Sequence, residues 1–152
     1  MKYSNFLTPI CSIALIILCS TAAFAQVFTK PEYDKKKSAK ELHLFKVEVT
    51  KKYTICEMTY TYDGNDSDDP DFIYIIPDMH ILDVKTKEKF YVIKSENIPM
   101  HPKQYQFKKK GEILRFKVYF PAIDPKKTVL FHILEEVDRG FKFFGVHLYS
   151  FA

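Results

Sequence analysis

The densest group of side chains able to do chemistry is Asp63-Gly64-Asn65-Asp66-Ser67-Asp68-Asp69-Pro70-Asp71. Calcium takes six to eight oxygens from carboxylates and carbonyls, and such a run offers them freely. The register is not that of a helix-loop-helix calcium site. With Asp63 as first ligand, Asp68 falls where the glycine belongs and Tyr74 where the closing glutamate belongs. Asp63, Asn65, Asp66, Asp68, Asp69 and Asp71 are therefore weak candidate cation ligands by composition alone. The competing reading is a solvated loop in which Asp, Asn, Gly and Ser serve the turn, and no metal site is expected.

The histidines are His43, His80, His101, His132 and His147, and no two form a close ligand pair. His132 and His147 fall on adjacent predicted strands. A hairpin centred near Asp138 would pair His132 with Phe144 and His147 with Val129, on opposite faces of the sheet. Glu135-Glu136 has the residue types of a glycosidase, but neighbours along a strand point to opposite faces and cannot flank one bond. No Gly-x-Ser-x-Gly elbow, catalytic cysteine signature, Ser-x-x-Lys or glycine-rich phosphate loop occurs. With four glycines in the chain, little backbone is free to approach a substrate. The expectation is a non-enzyme with no cofactor.

The N-terminus bears on the cysteines. Lys2, an apolar run from Ile10 to Leu18 and the closing Ala23-Phe24-Ala25 read as a signal peptide over residues 1–25, cleaved after Ala25. The run falls short of the roughly 20 apolar residues that span a bilayer, so no stable membrane span is expected after cleavage. Lipid anchoring through Cys19 is the alternative, though Leu18 is larger than the residue that processing prefers. Cleavage removes Cys11 and Cys19, leaving Cys56 with no partner for an internal disulfide. Cys56 lies among Ile55 and Met58 and reads as a small core residue, and the adjacent Glu57 argues against a reactive thiolate. Net charge is +4, or +3 without Lys2, too mild for a nucleic-acid binder.

These residues must be positioned by strands. Phe45, Val47 and Val49 alternate with polar neighbours, as do Leu114, Phe116, Val118 and Phe120, giving one buried and one wet face. Runs at 53–62, 72–76, 80–83, 90–94, 128–135 and 141–149 are rich in β-branched and aromatic residues. Residues 84–89 predict a short hairpin link, and Asp138-Arg139-Gly140 a second reversal. The most helix-like window, 35–44, has little to bury. Residues 26–40, with Lys35, Lys36 and Lys37, predict a flexible basic lead-in. Residues 41–152 predict one all-β domain, an immunoglobulin-like sandwich of about seven to eight antiparallel strands with Greek-key connections. Most of the fourteen phenylalanines and ten tyrosines belong to its core.

The order of features from Leu42 to Leu148 resembles a β-sandwich module of exported Bacteroidetes proteins that often precedes a thioredoxin-like domain. The resemblance lies in Phe72-Ile73-Tyr74-Ile75, the hairpin Ile81-Leu82-Asp83 to Lys89-Phe90-Tyr91, the strand from Leu114 to Pro121, and the closing Phe141-Lys142-Phe143-Phe144-Gly145-Val146-His147-Leu148. Phe144 stands where tryptophan is common in that module. The resemblance implies a sandwich and an exported compartment. With the sequence running to Ala152, no thioredoxin-like domain is expected to follow, so no thiol chemistry carries over. The expected function is that of a secreted or periplasmic module binding a protein or envelope component. A calcium-binding module using residues 63–71 and an accessory to a thiol-redox or hydrolytic enzyme are the alternatives.

Overall fold

The computed structural model describes residues 25–64 and 71–149. The signal segment with Cys11 and Cys19, and the loop residues Asn65, Asp66, Asp68 and Asp69, lie outside them.

Alternation of apolar and polar residues resolves into eleven strands among the described residues, all paired antiparallel, with no helix. The chain runs β1 (Gln26–Thr29), β2 (Leu42–Val49), β3 (Tyr53–Thr61), β4 (Phe72–Ile73), β5 (His80–Asp83) and β6 (Lys89–Tyr91). It continues through β7 (Lys94–Glu96), β8 (Tyr105–Gln106), β9 (Ile113–Pro121), β10 (Leu130–Leu134) and β11 (Lys142–His147). One sheet has the order β1-β2-β3-β9-β7, the other β11-β10-β5-β6, and β4 and β8 form a small ribbon. Without β1, these are the A-B-E-D and G-F-C-C′ orders of an immunoglobulin-like sandwich. The expected seven or eight strands are that framework; β1 and the ribbon are additions to it.

The inner faces meet in one apolar core. Cys56, Met58 and Phe116 come from the first sheet, Ile81, Phe131 and Phe143 from the second, and all are fully buried. The predicted inward set of β9 is buried, from Leu114 through Phe116 and Val118 to Phe120. On β2 the prediction holds for Val47 and Val49 and fails for Phe45, which is 39% exposed. A bulge between Leu44 and Lys46 inserts one residue there, so Leu44 takes the inward place and Phe45 turns out beneath the Arg115 guanidinium. On the same outer face Glu57 accepts from Arg115 Nε at 2.6 Å and lies 3.2 Å from Lys46 Nζ. Burial opposes its charge, but these two cations outweigh it and hold the carboxyl below the usual range.

Residues 26–40 differ from the flexible lead-in the composition suggests. Gln26–Thr29 pairs with Lys46–Val49, and Phe28 enters the core. Residues 30–39 then cross to the second sheet and cover the outer edge of β11. Asp34 N–H donates to Phe144 O at 2.8 Å, His147 N–H donates to Glu32 O at 2.9 Å, and Phe144 N–H donates to the buried Ser38 Oγ at 3.1 Å. Backbone bonds make this strap while its lysines stay in solvent, which is why composition misses it. On the other side β6 continues into β7: Val92 N–H donates to Met79 O, and Ile93 N–H to Tyr119 O. The chain thus closes both flanks of the sandwich, and the edge strands left are short, with lysines on β6 and β7.

The hairpin at 84–89 forms as expected. Asp83 Oδ1 accepts from Lys85 N–H at 2.7 Å and Thr86 N–H at 2.8 Å, fixing the link between β5 and β6.

Candidate functional site

At one end of the sandwich three pieces of chain surround an open cavity of about 540 Å³. They are residues 39–42 where the strap enters β2, residues 72–76 after β3, and residues 135–141 between β10 and β11. In the immunoglobulin-like scheme the second and third are the B–C and F–G connections, which gather at the same end. Its apolar wall includes Tyr60, Phe72, Tyr74 and Phe141. Tyr60 stacks toward Phe141 at 6.1 Å between centroids, and Phe72 toward Tyr74 at 6.1 Å, so the rings brace one another.

Glu135 is the polar centre of this wall. It continues the inward parity of Phe131 and Ile133 past the end of β10 and is only 3% exposed. Its Oε1 accepts from Ile76 N–H at 3.0 Å and its Oε2 from Phe141 N–H at 2.9 Å. One carboxylate thereby ties two walls of the cavity together. Burial pushes its pKa up to about 7; the two amides resist this, and the nearby charge of Asp78 adds to it. Glu136, its neighbour, points outward to Lys89 Nζ at 2.9 Å, so the two acids take opposite faces as strand geometry requires.

The reversal from β10 to β11 depends on Gly140, though not through a left-handed backbone, which Arg139 adopts instead with φ 58°. A Cβ at Gly140 would stand 2.7 Å from Glu135 Cβ and 2.8 Å from its carbonyl oxygen. The absent side chain lets Phe141 fold back and bond Glu135.

The other singled-out residues are placed apart. Asp63 is half-buried and reaches the cavity, while Asp71 is exposed. Among the described residues, no three His, Cys, Asp or Glu side chains converge as metal ligands. Cys56 is wholly buried, and desolvation pushes its thiol far up. His43 and His101 are exposed, with His101 leaning on Tyr74 at 5.2 Å. His80 is buried; its ring Nδ1 pairs with Asp78 O at 2.7 Å, and Nε2 lies 3.6 Å from Glu136 Oε1.

His132 and His147 depart from expectation. The predicted register holds at Ile133–Phe143 and Leu134–Lys142, then slips by one residue, so Leu130 faces His147. Gly145, with φ 64°, takes up the extra residue and donates its N–H to His132 Nδ1 at 2.9 Å. Leu130 and His132 share strand parity, which puts both histidines on the same outer face. A single bulge reverses the expected geometry.

Sequence reasoning assigned the aromatic residues to the core as a group and did not pick out Tyr60, Phe72, Tyr74 and Phe141 as a wall. One signal was legible: an acid at i+2 from Phe131-x-Ile133 must face inward unless the strand bends. Compared with known proteins, the chain matches no family model, no curated sequence and no solved structure. Among the described residues no helix is long and apolar enough to cross a membrane. The cavity therefore carries the functional argument.

Proposed function

We propose that this chain is an exported, non-enzymatic β-sandwich module that binds a protein or a component of the cell envelope through the cavity at its loop end. The observation that carries the reading is that cavity: about 540 Å³, open to solvent and walled by aromatic rings around a buried carboxylate. Its volume is in the usual range of ligand sites, and apolar walls with a few fixed polar groups are the usual lining. Rigid strands hold the loops that form it, the arrangement by which sandwich folds present binding loops. The signal-peptide pattern of residues 1–25, and the resemblance of Leu42–Leu148 to exported modules, support the compartment.

Photo-crosslinking tests the reading. A crosslinker installed at Tyr74, beside the cavity, should capture a discrete envelope partner. One at Lys51, in the exposed turn between β2 and β3 at the far end, should not. Equal labelling from both positions, or none from Tyr74, would overturn the proposal. Intact mass of the exported chain should begin at Gln26; an acylated Cys19 would replace release with anchoring.

A further inference from the structure

Resting on the reading of the cavity as a binding site, we infer that it takes the cationic side chain of a protein partner, a lysine ammonium or an arginine guanidinium. The first support is a local reversal of charge. The chain as a whole carries +4, yet among the described residues the cavity lining includes Glu41, Asp63, Glu135 and Asp138 with Lys40 and Arg139.

Depth sets Glu41 and Glu135 apart from the bases, while Asp138 is exposed at the rim as Arg139 is. Both basic residues stand at the rim, with the Lys40 side chain 83% exposed and Arg139 in solvent. The Glu41 side chain is 24% exposed and Glu135 is buried, so the inner surface is acidic. Lys40 Nζ lies 3.7 Å from Glu41 Oε1, a loose contact across open solvent that an entering cation can replace.

The second support is the rings. Phe72 and Tyr74 sit in the wall together with Tyr60 and Phe141. Aromatic faces attract ammonium and guanidinium groups through their quadrupole, and more strongly where water is excluded. They also take the methylene stem that precedes the charge in lysine and arginine. An anionic ligand would meet the same rings unfavourably and the buried acid at close range. In its ionised form each Glu135 oxygen accepts one amide N–H and keeps a lone pair for a further donor.

The test is a titration of the exported chain followed by amide chemical shifts, with capped single residues as probes. N-acetyl-lysine methylamide or its arginine counterpart should shift the amides of residues 73–76 and 136–141. The norleucine and glutamate counterparts should not. Glu41→Gln and Asp138→Asn keep side-chain shape outside the apolar core and are expected to leave the melting temperature in place. Each should weaken binding of the lysine probe about fivefold, as loss of one unit charge at contact distance in water predicts.

Norleucine binding as well as lysine, or glutamate binding better, would overturn the cationic class while leaving the cavity as a site. If no probe of any charge moves those amides, the binding-site reading falls and this inference with it. Butylammonium binding as tightly as the capped lysine would overturn the assignment to a protein side chain in favour of a free amine.

Discussion

Replacing Glu135 by glutamine removes a charge from the cavity wall at nearly constant shape, and its effect on stability depends on pH. In the native chain burial raises the carboxyl to about 7, against an ordinary value of 4.5. Between those values the folded chain holds a proton that the unfolded chain has already released. Stability from this group is complete below about pH 4.5 and is lost as pH rises through 7, by about 3 kcal/mol in all.

The E135Q chain has no such slope. It has a separate, pH-independent cost, because its amide NH₂ meets one of the two backbone donors that the carboxylate now satisfies, Ile76 or Phe141. Leaving one buried N–H without an acceptor costs about 1–3 kcal/mol. The native chain should therefore be the more stable near about pH 5, with the gap closed or reversed by about pH 8. Urea denaturation of both chains across this window, followed by circular dichroism, reads the difference directly. The subtraction cancels carboxylates such as Glu57 whose behaviour is common to both. A gap that stays constant across the window would show that Glu135 does not titrate there, and the account of its burial would be wrong.

Gly140→Ala should destabilise by about 1–3 kcal/mol, read as a lowered melting temperature, because its methyl collides with the backbone of Glu135. Gly111→Ala, in open space at φ 80°, should lose only about 1 kcal/mol; equal losses would refute the steric argument. Cys56 should resist thiol reagents in the folded chain and react once denaturant exposes it, since it is wholly buried with its thiol pushed up. Rapid labelling of the native chain would contradict that placement. Phe116→Ala should cost about 3–5 kcal/mol in denaturant unfolding, as expected for emptying a fully buried phenylalanine site at the meeting of both sheets.

Much of the framework was legible because strand parity is a local property. Leu114, Phe116, Val118 and Phe120 announce a half-buried strand without reference to any partner, and Glu135 opposes Glu136 for the same reason. Bulges were not legible. Those at Phe45 and Gly145 shift register by one residue, and one residue is enough to turn a side chain from core to solvent. The strap at 30–39 was equally hidden, since lysine-rich composition says nothing of backbone amides that complete the edge of a distant strand.

For the candidate site the division is sharper. The chain's order of residues was enough for an all-β sandwich, for Cys56 in its core and for an acid on the inward face at the end of β10, because each follows from period and polarity along the chain. Only the tertiary structure brought Glu135, 59 positions from Ile76, within hydrogen-bond reach of its amide. It also gathered three separated segments around one cavity. Convergence of this kind depends on which strands become neighbours and how their connections cross, and no local pattern records it.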